Sequence, residues 1–445
     1  MRFLSFFILL PLGLVSGHLL APFEEEAVRS YLLGFPNANE DLHNFRPWVI
    51  RGLFLVPALG ALWYSFASIL DRYLFRKALS TFLVTTTSFL LLFLLMDFQD
   101  SMSDLTGAKD PKKFLLAYYG VMLSQTIVLL LPFTTLLSTV YTLGQLSNSK
   151  EIVGFSQTGR GIFRILGPLI VLGTLLSIAS FCLYFHLAPW AEGYREALLD
   201  SADKDQTSQA SNVMHHTPSE NRHWFIGGFP YDLSGESPLV GVHISTCNED
   251  GTLKERLSSP RVSWDRESGN WSFQDPALLI VQAETAPEFD LDLPNPLVVT
   301  DWIETPSQLV QVGLDARYQG IPGIQDWLET NPDRYTFLAR AFETQLHYRW
   351  ARPWLCLVTI LLAAPLGINF SRRGKGGTVT FAILLSALML FSSEVFLALG
   401  DSGQIPAIPA AWATNLIFLM ISLILIHRRI KGRSIIQSMR RLCGG

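Results

Sequence analysis

Hydrophobic residues in this chain are gathered into long runs that alternate with shorter polar stretches. Six runs between Ile69 and Ile426 are long enough to cross a bilayer, because about 20 apolar residues, rising about 1.5 Å each, span a hydrocarbon core. We predict membrane-spanning helices with the approximate bounds 69–97, 114–143, 162–187, 353–370, 379–399 and 407–426. Ala188 and Pro189 are predicted to break the chain after the third helix.

Two further apolar runs precede these six helices. Residues 1–17 combine Arg2, an apolar run and a small pair, Ser16-Gly17, which is typical of a signal peptide or a first anchor helix. Residues 52–70 are also long enough to span once. A third interpretation is that the functional chain begins near Leu70 and that the upstream part is an accessory or a wrongly assigned start. We assign residues 1–68 to an N-terminal extension and leave these alternatives open.

The stretch between the third and fourth helices has the two-residue alternation of β-strands. LVGVHIST (239–246) alternates, and PRVSWD and NWSFQD form two strand candidates joined by a glycine-containing turn. PALLIVQAET and NPLVVTDWIE are two further candidates. Short strands in series predict a β-sandwich or an open jellyroll-like sheet over residues 191–340. The predicted fold class is therefore an α-helical polytopic membrane protein, with a six-helix core bundle, one or two extra N-terminal segments and an inserted all-β jellyroll-like domain.

Charge is unevenly distributed and indicates an orientation. Residues 191–350 hold 25 acidic and 11 basic side chains, whereas the rest of the chain holds 13 acidic and 23 basic ones. Short loops rich in Lys and Arg face the cytoplasm. If the spans alternate, all the basic loops fall on one side; they contain Arg72, Arg76 and Lys77, then Lys150, Arg160 and Arg164, then Arg372, Arg373 and Lys375, and finally the tail 428–445. Residues 69–190 and 341–427 thus hold three spans each, the inserted domain faces outward, and nucleic-acid binding is poorly supported.

A polar segment of about two dozen residues (144–168) joins the second and third helices. Ser149 is predicted to cap a short helix over 149–159, with Lys150 and Glu151 in its first turn and Gly159 at its end. Ile152 and Phe155 supply apolar contacts that a plain linker does not need. We predict that this segment docks a partner on the cytoplasmic side.

The residues give no support for chemistry on a substrate. SRRGKGG resembles a phosphate loop, but Asn369 and Gly376 stand where the motif requires Gly and Ser or Thr. The histidines lack metal-ligand spacing, and the Ser147–Lys150 pair is explained by chance. We predict no catalytic residue, no metal, no cofactor and no enzyme activity. Glu394 is the one acid well inside a predicted span, and both a structural role and a place on a lipid path are open for it.

An ordered series of segments across residues 69–426 resembles the lipopolysaccharide-export permeases of the LptF/LptG (YjgP/YjgQ) family. The segments are DRYL, KEIVGFSQTG, APWAEGYREAL, VSWDRESGNW, LHYRWARPW, PLG with the following RRG, and IPAIPAAWATN. The resemblance implies a multi-pass protein of the bacterial inner membrane, with a large periplasmic domain, that takes lipopolysaccharide from that membrane. It also implies three kinds of protein partner: a cytoplasmic ABC ATPase dimer, a paralogous permease subunit in a heterodimer, and periplasmic bridge proteins with jellyroll folds.

The same resemblance suggests functional residues. The candidates for ATPase coupling are Lys150, Glu151, Ile152, Phe155 and Gly159. The candidates for the lipid path are Asp97, Asp100, Lys109, Lys112, Lys113, Glu394, Val262 and Trp264. The family pattern of basic residues at the outer end of the first span is replaced here by Asp97 and Asp100, so that either a partner subunit supplies the cations or the cargo differs. The alternative function is a membrane-anchored envelope scaffold, whose β domain binds a protein partner without transporting lipid.

Overall fold

The fold was described from a computed structural model. It covers residues 3–34, 38–102, 111–157, 162–200, 208–217, 220–230, 238–248, 250–265, 268–281, 288–300, 302, 304–310, 313–331, 337–368 and 375–430. Within these ranges, eight helical segments are long and apolar enough to cross a membrane. Two of them lie before Ile69 and six after it.

The N-terminal extension is a helical hairpin made of α1 (Leu4–Gly34), the short α2 (Glu40–Asn44) and α3 (Arg46–Phe66). Its two long helices touch closely, since a Cβ added at Gly13 would lie 2.4 Å from the backbone oxygen of Phe54. The hydrophobic run predicted to reach Leu70 ends at Phe66. It ends there because Ser68 accepts a hydrogen bond from the backbone N–H of Asp71 and caps the next helix.

The first half of the bundle contains α4 (Ile69–Asp100), α5 (Pro111–Asn148), the short α6 (Glu151–Gln157) and α7 (Ile162–Phe185). The break predicted at Ala188 and Pro189 is present but lies two residues earlier. The helices separate at His186, and α8 (Leu187–Asp200) follows at once. Pro189 lies in the first turn of α8, where a missing N–H leaves no helical hydrogen bond unmade.

In its described residues, the inserted domain is one antiparallel sheet of eight strands. The strands are β1 (Ser208–Thr217), β2 (Arg222–Pro230), β3 (Leu239–Cys247), β4 (Leu253–Trp264), β5 (Trp271–Gln274), β6 (Ala277–Ile280), β7 (Glu288–Asp290) and β8 (Leu297–Val299). The order is β1-β2-β3-β4-β5-β8, and β4 also pairs with β6, which pairs with β7. Along one edge of β4, its last residues pair with β5 and its first residues pair with β6. One face of the sheet carries a hydrophobic core that includes Trp224, Trp271 and Phe273.

The chain returns to the membrane through α9 (Pro306–Val310), a 3-10 turn (Ala316–Tyr318) and α10 (Ile321–Thr330). The remaining helices are α11 (Phe337–Ala351), α12 (Leu355–Gly367), α13 (Lys375–Asp401) and α14 (Ala407–Ile430). The fourth core span was predicted to begin at Pro353, but this residue lies in a 3-10 turn (Arg352–Trp354) between α11 and α12. The apolar segment instead runs from Leu338 to Gly367.

These elements confirm the predicted fold class, a helical polytopic membrane protein with an inserted β domain. Helix α6 lies at the end of the bundle where α5 ends and α4 begins. At the other end, α7 ends beside the start of α3, and Tyr31 and Ala38, which precede α3, pack against the core of the β domain. We call these ends the α6 side and the β-domain side.

Candidate functional site on the α6 side

Helix α6 is joined to α5 by a tight turn and is held against the bundle mainly by Ile152. Lys150 has a positive φ of 61°, which lets the chain reverse between the helices, and its carbonyl accepts the N–H of Gly154 at 3.1 Å. Ile152 is 1% exposed. It packs in a cluster drawn from four spanning helices, which contains Leu74, Phe75 and Ala78 of α4, Leu143 and Leu146 of α5, Ile165, Leu166, Leu169 and Leu172 of α7, and Ile360 and Ala364 of α12.

Glu151 connects α6 to the first turns of α4. Its Oε2 accepts a hydrogen bond from the hydroxyl of Tyr73 at 2.9 Å, and its Oε1 lies 3.6 Å from the Lys77 ammonium and accepts from Ser149 at 2.7 Å. Partial burial disfavours the charged carboxylate, but the hydrogen bonds from Ser149 and Tyr73 and the charge of Lys77 outweigh it. The pKa of Glu151 is therefore lowered from its ordinary value. This carboxylate is ionised at neutral pH, while its side chain remains 29% exposed.

The opposite face of α6 is open. Lys150, Gly154 and Gln157 are exposed, and Val153 is 40% exposed, a large value for an apolar side chain outside the spans. A Cβ added at Gly154 would meet no atom within 4 Å. One face of this short helix is thus fixed in the bundle. The other face presents the apolar side chain of Val153 and the amide of Gln157, with the ammonium of Lys150 just before the helix.

The five coupling candidates therefore have different placements. Lys150 is exposed, Glu151 is partly exposed and paired, Ile152 is buried, and Phe155 packs half-buried against the same cluster as Ile152. Gly159 lies outside the described residues. The predicted cap at Ser149 is wrong, because its single hydroxyl proton points to acceptors: the carbonyl oxygens of Gln145 and Leu146 at the end of α5 and, at the shortest distance, the Glu151 carboxylate.

Sequence inspection missed Tyr73 and Lys77 as partners of Glu151. The two residues are four apart on α4, and the Lys77 ammonium lies 5.5 Å from the centre of the Tyr73 ring. This i, i+4 spacing shows that they share a face of the helix. It does not show that the face meets a carboxylate 78 residues further along the chain.

Comparison with known families gives a match over most of the chain. The family model described as "Lipopolysaccharide export system permease LptF/LptG" matches residues 72–428. This chain belongs to the LptF/LptG permease family. The match includes Tyr73, Lys77 and the whole of α6, whereas the N-terminal hairpin lies before it. A comparison with curated proteins found no match.

The lipid-path candidates of this LptF/LptG permease fall into three separate places. At the β-domain end of α4, Asp97 accepts a hydrogen bond from the buried Tyr118 hydroxyl at 3.1 Å, and Asp100 is exposed. Lys112 and Lys113 are exposed at the start of α5. Lys109 lies outside the described residues.

Glu394 forms a second place, between α13 and the fourth core span. Its Oε1 lies 3.0 Å from an Nη1 of Arg352 and accepts from the Tyr348 hydroxyl at 3.2 Å. Arg352 is buried, while the Glu394 side chain is 59% exposed. A charged side chain near the membrane needs an opposite charge or a hydrogen-bond donor beside it, and Arg352 and Tyr348 provide both. These contacts favour a structural role for Glu394.

Val262 and Trp264 lie inside the β domain. Val262 is fully buried in the core, and Trp264 is half-buried beside Trp271, with ring centres 6.3 Å apart. The core also contains an ion pair that the sequence did not reveal. Glu304 accepts two hydrogen bonds from Arg222, at 2.8 and 2.9 Å, and one from Thr217 at 2.8 Å. Among the described residues, no group of three or more His, Cys, Asp or Glu side chains is placed to hold a metal ion.

Proposed function

We propose that this permease is the membrane-spanning subunit of an ABC-type lipopolysaccharide exporter, and that a separate cytoplasmic ATPase drives it through α6. The observation that carries the proposal is the two-faced placement of α6. Ile152 anchors one face in the bundle, and the face with Val153 and Gly154 is open to a partner. Membership of the LptF/LptG family supports the transport role.

The packing around Ile152 supports a route for mechanical coupling. Its cluster combines side chains from α4, α5, α7 and α12, so a shift of α6 acts on four spanning helices at once. Packed interiors transmit such shifts because they have low compressibility. The contacts of Glu151 with Tyr73 and Lys77 add a polar connection to α4. A partner protein that binds α6 and moves it can therefore change the packing of the bundle.

We infer the orientation from charge. The α6 side carries Arg72, Arg76 and Lys77, and these basic side chains favour the cytoplasm. The β domain then lies in the periplasm of a bacterial cell with an outer membrane, and the chain is a multi-pass protein of the inner membrane. The excess of acidic side chains in residues 191–350 agrees with export of that part.

The remaining partners are proposed from the family and from exposure. Helices α4 and α13 keep many large apolar side chains on the surface of the chain, among them Leu91, Leu95, Leu388 and Phe391. We propose that lipid and a paralogous permease subunit cover these helices. The β domain is proposed to pass lipopolysaccharide to a periplasmic bridge protein with a jellyroll fold.

The test is a charge reversal at Glu151. Glu151→Lys places a second cation beside Lys77 and removes the acceptor for Tyr73, at a partly exposed site where the chain still folds and inserts. We expect weaker co-purification of the ABC ATPase and reduced lipopolysaccharide export. The matched control is Glu329→Lys, because Glu329 is exposed on α10 at the other side of the bundle.

Each outcome has a definite meaning. Loss of ATPase co-purification in Glu151→Lys alone supports coupling through α6. If co-purification and export both match those of the Glu329→Lys control, the coupling proposal fails. The envelope scaffold then becomes the better account, because a scaffold tolerates a changed loop on the cytoplasmic side.

A further inference from the structure

The N-terminal hairpin ends in a buried polar network. His43, Arg46 and Asp326 are only 1%, 5% and 7% exposed. Buried polar and charged groups are costly unless they are hydrogen-bonded to one another. A network of this kind therefore indicates a built contact between segments that are far apart in the sequence.

Asp326 of α10 is the centre of one half of this network. Its Oδ1 accepts the backbone N–H of Asn39 at 2.9 Å, and its Oδ2 lies 2.6 Å from Nε2 of His43. The Tyr31 hydroxyl donates to Oδ2 at 3.5 Å, and the Tyr31 and His43 rings stack with centres 4.4 Å apart. All three partners of this carboxylate come from the hairpin.

Arg46 is the centre of the other half. Its guanidinium donates to Glu24 of α1 at 2.6 Å and to Nε2 of His186 at 2.5 Å, and its Nη1 lies 3.4 Å from Nδ1 of His43. Because an arginine has only donors, both histidine nitrogens that face it act as acceptors. His43 then carries its proton on Nε2 and donates it to Asp326, which joins the two halves into one chain of hydrogen bonds.

Apolar contacts around the network connect the same units. Val49 of α3, Phe185 at the end of α7 and Ile321 of α10 form one buried cluster. Tyr31 and Ala38 also pack against the core of the β domain. At the same place, a Cβ added at Gly320 would lie 2.6 Å from the Phe185 backbone oxygen, so α10 approaches the end of α7 closely.

The covalent connections of the β domain make this contact significant. The domain is joined to the bundle by two chain segments, one through α8 and one through α9 and α10. The hairpin adds a third attachment, which is not covalent. Its contributing residues, Glu24, Tyr31, Asn39, His43 and Arg46, lie before the range that the family model matches, whereas Asp326 and His186 lie inside it.

We propose that residues 4–66 are an integral strut of this permease, which docks on Asp326 and His186 and fixes the β domain relative to the membrane-spanning bundle. The strut is independent of the ATPase and of lipopolysaccharide. Its tests therefore use neither, and their failure leaves the proposed transport function untouched.

Hydrogen exchange of the full-length protein in lipid nanodiscs tests the docking. We expect His43→Ala to speed exchange of residues 321–330 by about tenfold, and Asp326→Ala to do the same for residues 38–46, because each removes a partner of the other segment. The controls are His18→Ala and Glu329→Ala, which change an exposed histidine of α1 and an exposed acidic residue of α10.

A third variant tests the contact without changing a buried side chain. Asn39 has φ −73°, a value that proline adopts, so Asn39→Pro fits the backbone here. The variant removes two interactions: the hydrogen bond from the Asn39 N–H to Asp326, and the cap that the Asn39 side chain makes on α2. We expect faster exchange of residues 321–330 in this variant too. Exchange equal to that of the two controls in all three variants would overturn the docking.

Distances between spin labels test the mechanical role. Labels at Lys254 of the β domain and Ser402 between α13 and α14, both exposed, report the placement of the domain on the bundle. We expect one narrow distance distribution in the parent and in the controls, and a broader one in His43→Ala and Asn39→Pro. A distribution that stays equally narrow in both variants would overturn the strut.

Discussion

Two carboxylates at opposite ends of the bundle have opposite surroundings. Asp326 on the β-domain side is 7% exposed, and its partners are Asn39, His43 and Tyr31 of the same chain. Glu151 on the α6 side is also hydrogen-bonded within the chain, but its side chain is 29% exposed and its helix has an open face.

The difference separates an internal contact from a surface available to another protein. A buried, fully paired carboxylate has no capacity left for a partner, and removing it leaves buried groups unsatisfied. A partly exposed one contributes little to stability, so changing it alters mainly what binds there. Glu304 in the β domain belongs with Asp326, since its side chain is 1% exposed and paired with Arg222.

The largest effect on stability is expected at Glu304. Glu304→Ala removes the buried partner of Arg222 and leaves it only the exposed Glu220 carboxylate, 3.7 Å away, and breaking such a buried pair from one side costs about 3–5 kcal/mol. Urea unfolding followed by tryptophan fluorescence, to which Trp224 and Trp271 beside Glu304 contribute among the 11 tryptophans of the chain, measures it. The exposed Glu288→Ala is the control, within about 0.5 kcal/mol of the parent. If the free energy of unfolding falls by less than about 1 kcal/mol in Glu304→Ala, Glu304 contributes as little to stability as a partly exposed carboxylate such as Glu151, and the comparison fails for it.

A smaller effect is expected when Asp326 loses only its charge. Asp326→Asn keeps an oxygen for the Asn39 N–H but turns an NH2 group toward Nε2 of His43, so one charged hydrogen bond is lost, which costs about 1.5–3 kcal/mol. Thermal unfolding of the full-length protein in detergent measures the change. Glu329→Gln, a neutralisation on the exposed end of the same helix, should not move the transition. Equal behaviour of the two variants would contradict the buried network.

The smallest effect is a pH dependence confined to acid. Because the folded pKa of Glu151 lies below its ordinary value of 4.5, its contacts are fully present above that value and are lost as the pH falls through the lowered pKa. A fluorophore on Gln157→Cys should keep constant anisotropy from about pH 8 to about pH 5 and become more mobile below. Tyr73→Phe removes one of the hydrogen bonds and should move that change to higher pH. A transition near neutral pH in the parent would contradict the assignment.

Long patterns predicted the architecture well, and isolated side chains were harder to place. Spans and alternating strands are visible because hydropathy repeats over many residues. Strands β1 and β2 were missed, since SQASNVMHHT is polar and RHWFIGGFP contains Gly227, Gly228 and Pro230. The break between α7 and α8, observed at His186, was predicted two residues too late, because Pro189 breaks a helix interior but is well tolerated in a first turn.

The polar contacts of the site depend on distance in space rather than in sequence. Lys150, Glu151 and Phe155 were selected from one segment, but the partners Tyr73 and Lys77 come from another helix. Likewise, Arg222 and Glu304 are 82 residues apart, and His43 and Asp326 are 283 apart. No local pattern indicates such pairs, and the candidates for ATPase coupling and for the lipid path stay predictions.

The most direct measurement concerns the open face of α6. Gly154 is exposed and a Cβ added there meets no atom within 4 Å, so Gly154→Ala and Gly154→Trp both begin their side chains in open space, and alanine favours a helix by up to about 1 kcal/mol over glycine. Both variants should therefore fold and insert. We predict that co-purification of the ABC ATPase survives Gly154→Ala and is lost in Gly154→Trp, because only the indole obstructs a partner on that face. Equal, undiminished recovery of the ATPase with both variants would contradict the account that α6 is where the ATPase grips this permease.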